Sequence, residues 1–181
     1  LDWGCGSGRL SGFFLKYTDI PQIQGCDIDA EAIAWAQKNF PRGIFSAIPF
    51  HPPTQYKANQ FDLIISFSVL THLDRENQND WLDEMQRIAK PGGLFIATVH
   101  GIKAAQVILS KSDVEVLRRE GIHDSRRDNV LEGVAPKDYY RASFQTQDYI
   151  RRHWNRYFDL IDVIEQGASN YHDIVIMRKR D

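Results

Sequence analysis

Three glycines alternate within Gly4-Cys5-Gly6-Ser7-Gly8, a carboxylate follows at Asp27, and histidines stand at positions 72 and 100. Glycine lets a chain bend sharply and lets a ligand touch bare main chain. Amides exposed at a helix start favour an anionic or electron-rich group. The spacing is G-x-G-x-G. The dinucleotide fingerprint G-x-G-x-x-G fails because position 9 is Arg9. Asp27 closes the next apolar stretch at the distance where a carboxylate accepts ribose hydroxyls. Asp29, two residues on, suits the cap of a following helix. His72 and His100 are the candidate bases, since each imidazole follows a strand and can take a proton from a hydroxyl. For each, the alternative is a histidine bonded within the fold. Tyr139, Tyr140 and Arg141 offer ring faces and a cation to a substrate, or they anchor an insertion. The other histidines lack metal-ligand spacing, so no metal is expected. Cys5 and Cys26 form no disulfide framework, which fits a reducing, cytoplasmic setting.

Those residues need a scaffold, and the chain alternates strand and helix patterns. Leu1 to Trp3 reads as a strand end and Arg9 to Tyr17 as a helix with Leu10, Phe13, Phe14 and Tyr17 on one face. Ile23 to Asp27 is a strand and Ala30 to Asn39 a helix, stopped by Pro41 and Gly43. Ile44 to Ala47 is a weak strand, and HPPTQYKANQ a loop. Phe61 to Phe67 is an apolar run suited to a strand covered on both faces. Asp74 caps a helix running to about Ala89, Pro91-Gly92-Gly93 is a turn, and Leu94 to Val99 is another buried strand. Ile102 to Leu117 has helical stretches. Gly121 to Arg141 is polar and irregular, a candidate substrate lid within an insertion around 102–144. Thr146 to Trp154 is a helix, and Phe158 to Glu165 with Asp173 to Arg178 reads as an antiparallel hairpin at a sheet edge. Repeated strand–helix alternation predicts an α/β, doubly wound, mostly parallel Rossmann-like sheet in one domain over 1–181.

Composition narrows the partners. Hydrophobic residues make up 43% and charged residues 25% of 181, an ordinary globular balance, and the net charge is −2. That gives no general attraction to nucleic acid or to an anionic membrane. No apolar run is long enough to span a bilayer. The chain opens inside a motif, so the expectation is a longer protein with the N-terminal part of the first strand missing here.

Leu1 to Gly8, Gly25 to Asp29, Phe61 to Leu73 and Lys90 to Thr98 resemble the successive motifs of class I S-adenosylmethionine-dependent methyltransferases. The stretch FDLIISFSVLTHL, followed by WLDEMQRIAKPGGLFIATVHG, is more specific than the glycine loop and is similar to small-molecule-type members. The resemblance implies a seven-stranded sheet with an antiparallel last strand and S-adenosylmethionine across the strand ends. It implies Asp2, Gly4, Cys5, Gly6 and Gly8 around the methionine part and Asp27 on the ribose. Ile28, Ala47 and Ile48 would flank the adenine, with Ser66 and Phe67 beneath the methyl donor. Many members carry an acid after the third strand to meet the adenine amino group. This chain reads Ser46-Ala47-Ile48-Pro49, leaving that contact to a backbone carbonyl or Ser46. Base and glutamine methylases place Asn/Asp-Pro-Pro-aromatic after the fourth strand, whereas Ser66-Phe67-Ser68-Val69 stands here. The expected function is methyl transfer to a small-molecule acceptor, hydroxyl-bearing or a sugar or secondary metabolite, with no nucleic-acid or membrane partner. The alternatives are a non-catalytic cofactor-binding protein and an NAD(P)-dependent oxidoreductase.

Overall fold

The computed structural model describes residues 1–127, 134–136 and 139–181. Five strands run parallel: β1 (Asp2–Trp3), β2 (Gln24–Asp27), β3 (Ile44–Ala47), β4 (Phe61–Ser66) and β5 (Ala89–Val99). Helices α1 (Arg9–Tyr17), α2 (Ala30–Asn39) and α3 (Arg75–Ile88) form crossovers between them. β8 (Asp159–Ala168) and β9 (His172–Arg178) pair antiparallel, and β9 also pairs antiparallel with β5. The seven-stranded order is β3-β2-β1-β4-β5-β9-β8. β1 is central, with Asp2 opposite Gly25 on one side and Ile65 on the other. The chain steps outward from β1 to β3, then returns to lay β4 against the other side of β1. Ligand crevices in α/β sheets open at such a reversal.

Local sequence accounts for most of these elements. Asp29 caps α2 by accepting from Glu31 N–H (2.9 Å) and Ala32 N–H (3.0 Å). Asp74 caps α3 by accepting from Asn77 N–H at 2.9 Å. The stripe Trp81, Leu82, Met85, Ile88 of α3 is fully buried on the sheet. Burying each such side chain stabilises the fold by about 1.5–3 kcal/mol. Trp3 of the central strand meets Trp81 at a centroid distance of 5.0 Å and Phe95 at 6.2 Å. These contacts tie β1, α3 and β5 into one core.

Three expectations need correction. The predicted apolar face of α1 is not its inward face: Phe13 and Tyr17 are exposed, while Ser11 is buried. Asp2 Oδ2 accepts from both Ser11 N–H (3.0 Å) and Ser11 Oγ–H (2.7 Å), which turns the serine side of the helix toward the sheet. Pro91-Gly92-Gly93 lies within the bounds of β5 as an irregularity. The pairing jumps from Phe61–Ala89 to Leu63–Leu94, so the intervening residues swing out of register, with Gly92 at φ +70°. Lastly, the polar stretch after Gly121 is not wholly irregular. α4 (Ile102–Ile108) and α5 (Lys111–Glu120) lead into β6 (Ile122–Arg127), which pairs antiparallel with β7 (Arg141–Gln145). Tertiary pairing overrides the weak strand pattern of IHDSRR. β7 is fastened to the main sheet by Gln145 N–H donating to His100 C=O at 2.9 Å. The remainder of the predicted lid, 128–133 and 137–138, lies outside the described residues.

α6 (Gln147–His153) follows β7, capped by Thr146, and Trp154 just beyond it is buried in the core. Among the described residues no helix is long and apolar enough to cross a membrane.

Candidate active site

A cavity of about 290 Å³ opens at the carboxyl ends of β1, β2 and β4. Trp3, Gly4 and Gly6 form its floor, from β1 and the glycine turn. The turn is held by main chain: Gly4 N–H and Cys5 N–H both donate to Cys26 C=O, at 2.8 and 3.0 Å. Gly4, Gly6 and Gly8 all have positive φ, which explains the alternation. At Gly4 a Cβ would strike Val69 Cγ2 at 2.1 Å, whereas at Gly6 it would meet nothing within 4 Å. Gly6 is therefore bare main chain facing open cavity.

On the β2–β3 side stand Asp27, Ile28, Asp29 and Ile48. Asp27 accepts from Gly6 N–H through Oδ2 (2.7 Å) and from Asp29 N–H through Oδ1 (2.9 Å). A carboxylate offers about four lone-pair sites, so two remain for a ligand. Burial pushes the Asp27 pKa above the usual aspartate value, against the opposing pull of the Asp29 and Gly6 amides.

On the β4 side stand Phe67, Ser68, Val69, His72 and Tyr140. Ser68 holds φ +62°, an unusual conformation for a residue with a side chain. Its N–H donates to Thr98 Oγ1 at 2.8 Å, and its Oγ lies 3.1 Å from Thr71 Oγ1 and 3.4 Å from His72 Nε2. His72 sits in the 3₁₀ turn Leu70–His72. Buried Gln78 braces that turn: its Nε2 donates to the carbonyls of Leu70 and Leu73, both at 2.9 Å, and lies 3.0 Å from Ser143 Oγ on β7. Leu73, Trp81 and Tyr139 form the back wall. Tyr139 receives a hydrogen bond from Trp81 Nε1–H at 3.2 Å and donates to the Phe50 carbonyl. It thus bridges the loop after β3 and α3 across the cavity.

The cavity brings together Gly4, Gly6, Asp27, Ile28, Ile48, Phe67, His72, Tyr139 and Tyr140 of the residues singled out in the sequence. Others lie elsewhere. Asp2 is buried on Ser11, and burial raises its pKa. Cys5 packs with Ile33, Ala36 and Phe45, and burial likewise raises its thiol pKa. Gly8 starts α1 with Phe40 against it. Ser66 is buried in β4, and Ala47 is exposed at the end of β3. His100 is sandwiched between Phe144 (5.0 Å) and His172 (5.1 Å). Arg141 lines a separate depression with Asp74, Arg75 and Asp124. Sequence reasoning missed Trp3, Ser68, Val69, Trp81 and Gln78. No local pattern marks a positive φ at a serine or a glutamine bracing a distant turn.

A family model described as "Methyltransferase domain" matches residues 1–97, more than half of the chain. The chain belongs to this methyltransferase family. Its fold is that of the class I S-adenosylmethionine-dependent enzymes, and S-adenosylmethionine is the cofactor of the family. A structure of an S-adenosylmethionine-dependent methyltransferase from Mesorhizobium loti superposes with TM-score 0.73 at 16% identity, over 98% of this chain and 88% of that one. Over 110 residues the methyltransferase chain is 29% identical to the tRNA N(3)-methylcytidine methyltransferase Mettl2 of Drosophila melanogaster, covering 56% of this chain and 34% of that protein. Over 109 residues it is 27% identical to the mitochondrial ubiquinone biosynthesis O-methyltransferase of Candida albicans, covering 55% and 32%. It thus spans about a third of the length of these curated relatives.

The cavity fits the family cofactor. Open space over Gly6 admits a ligand against main chain, Asp27 has acceptor capacity for a diol, and Ile28 with Ile48 supplies apolar walls for a planar base. Those residues would hold the nucleoside on the β2–β3 side, which would leave the β4 side for the reacting end.

Proposed function

We propose that this chain catalyses S-adenosylmethionine-dependent methyl transfer to a hydroxyl of a small-molecule acceptor. One observation carries the reading: a single cavity has a ribose-competent carboxylate at one end and an imidazole at the other, with bare glycine main chain between them. The cofactor supplies an activated methyl group on a sulfonium. The protein's part is alignment and exclusion of water. Asp27 and the Gly4–Gly6 turn orient the donor. Phe67 and Tyr140 bound the acceptor side, and Tyr139 fixes the back wall through its bonds to Phe50 and Trp81. His72 accepts the hydroxyl proton as the oxygen attacks, oriented by Ser68 and by the braced turn beneath it. His100 does not line the cavity; it packs between Phe144 and His172, its ring 6.4 Å from that of His72, and His72 is the base that faces the acceptor.

The two curated relatives differ in acceptor, one being named for a tRNA cytidine and the other for ubiquinone biosynthesis. Support for a small acceptor comes from the net charge of −2 and from Ser66-Phe67-Ser68-Val69 in place of the base-methylase turn. The test is titration calorimetry with S-adenosylmethionine, followed by label transfer from the methyl-labelled cofactor into a metabolite extract. His72→Asn should lower turnover by roughly 10²–10⁴-fold and leave cofactor affinity unchanged. Absence of cofactor binding overturns the reading. Unchanged turnover in His72→Asn overturns the base assignment alone.

A further inference from the structure

The β4 end of the cavity is built from rings. Phe67, His72 and Tyr140 line it, each half-buried. Tyr140 stands 5.4 Å from His72 and 5.6 Å from Tyr139, centroid to centroid. Behind the lining, His172 meets Phe67 at 5.4 Å and 62° and stacks on His100 at 5.1 Å and 16°. His100 in turn stacks on Phe144. Phe67 is thus the front of a packed column of rings. His172 Nδ1 in that column is buried with no hydrogen-bond partner among the described residues. Burial, with His72 nearby as the second cause, holds the His172 pKa below the usual imidazole value, which disfavours a charge on His172 in this column.

Polar capacity at this end is small. Among the described residues, no lysine or arginine lines the cavity. Arg9 lies outside the lining, its guanidinium 6.0 Å from the Phe67 centroid. Of the hydroxyls in this part of the wall, Ser68 Oγ is already shared between Thr71 and His72, and the other belongs to Tyr140, itself an aromatic ring. A polyol leaves unpaired hydroxyls in such a place, and an anion finds no fork of donors. The surface offered at this end is mostly ring faces, with the His72 imidazole and the Tyr140 hydroxyl among them.

Resting on the methyl-transfer reading above, we propose that the acceptor is a planar aromatic ring bearing a hydroxyl, a phenol or catechol, laid against Phe67 and Tyr140 with its hydroxyl at His72. The phenolic oxygen forms the bond to the methyl carbon. The carbon–sulfur bond breaks with its electron pair going to sulfur, and the phenol proton passes to the His72 imidazole. The products are an aryl methyl ether and a neutral thioether, so atoms and charge balance. Offset or edge contacts with Phe67 and Tyr140 hold the ring plane.

The test offers the chain methyl-labelled S-adenosylmethionine with a 4-alkylphenol, catechol, glucose, glucose 6-phosphate or an unmodified tRNA transcript, all at one concentration. Label should enter the phenol or catechol with kcat/KM roughly 100-fold above glucose. Phe67→Leu and Tyr140→Leu should each raise KM for the phenol by roughly tenfold without changing cofactor affinity. Because Phe67 packs on His172 at the front of the ring column, a second readout uses the unaltered protein. With S-adenosylhomocysteine bound, the phenol should quench the fluorescence of Trp3 and Trp81, which line the same cavity. Label entering glucose, its phosphate or tRNA instead of the phenols overturns the proposal, as does absence of quenching. Cofactor bound with phenols unlabelled sinks this inference and spares the methyl-transfer reading. Failure to bind the cofactor sinks both.

Discussion

The two sides of the cavity are built by different means. On the β1–β3 side the site is main chain and strand ends: Gly4, Gly6, Asp27 and Ile48 hold their places because parallel register puts them at the same level. On the β4 side it is side chains on turns and on a distant segment: Ser68, His72 and Tyr140, braced by Gln78 from α3 and Ser143 from β7. The first side carries the features suited to the cofactor that the family shares. The second, where the proposed acceptor would lie, is assembled from contacts between residues far apart in the chain. A backbone-built site tolerates no added volume, whereas a side-chain-built site depends on its bracing.

The sharpest way to break the comparison is to add one methyl group to each of two floor glycines. Gly4→Ala places Cβ 2.1 Å from Val69 Cγ2 at φ +75°. The left-handed conformation costs about 1–2 kcal/mol and the overpacking about 1–3 kcal/mol more. Gly6→Ala at φ +52° meets nothing and bears only the first cost. Urea denaturation should therefore find Gly4→Ala the less stable by about 1–3 kcal/mol. Gly6→Ala should lose cofactor affinity by calorimetry out of proportion to its stability, because its new methyl group occupies ligand space. Equal stability losses would mean that Val69 moves aside, and the floor is then softer than its geometry suggests.

The same division decides what the sequence made legible. The parallel strands, the Asp29 and Asp74 caps and the buried stripe of α3 follow from short-range spacing, and they recur in the structure with nearly the same bounds, except that β5 begins at Ala89 rather than Leu94. Asp27 and the glycine turn are legible for that reason. α1 misled because a long-range bond, Asp2 to Ser11, outweighs the pull of its aromatic residues. β6 was invisible because IHDSRR becomes a strand only by pairing with residues about twenty positions on. Ser68 and Gln78 were invisible likewise, their roles being set by Thr98, Leu70 and Ser143.

Gln78 offers a way to sharpen the contrast. Gln78→Ala strips the carbonyls of Leu70 and Leu73 of a donor in a buried place, a loss of about 1–3 kcal/mol. The β1–β3 side should not notice: cofactor affinity stays the same while kcat falls, because the turn carrying His72 loosens. Ser143→Ala made alone and together with Gln78→Ala should show coupling of at least about 0.5 kcal/mol in denaturation. Additive losses would mean that β7 and the His72 turn are braced separately.

The smallest expected effect is a pH dependence that separates binding from folding. The folded pKa of Asp27 is raised above 3.8 by burial, so it takes up its proton at a higher pH than an ordinary aspartate. Between those two values the folded chain holds more protons at this site than the unfolded chain, and acidification there stabilises the free protein. Cofactor binding moves the other way, because a protonated Asp27 accepts fewer hydrogen bonds from a diol. Affinity should fall as pH drops through the raised pKa, by at most about tenfold per pH unit. Glu84 behaves oppositely. Burial pushes its pKa up, but hydrogen bonds from Arg87 and Thr54 outweigh that and leave it lowered from 4.5. Its contribution to stability is present above 4.5 and is lost only as pH falls through the lower folded value. There is thus an acidic interval in which the fold stands and the cofactor has begun to leave. Thermal shifts with and without S-adenosylmethionine across that interval should converge for the unaltered chain. For Asp27→Asn the cofactor-induced shift should be small and flat with pH. A shift that stays constant with pH in the unaltered chain would mean that the diol does not rest on Asp27, and the β1–β3 side would need another anchor.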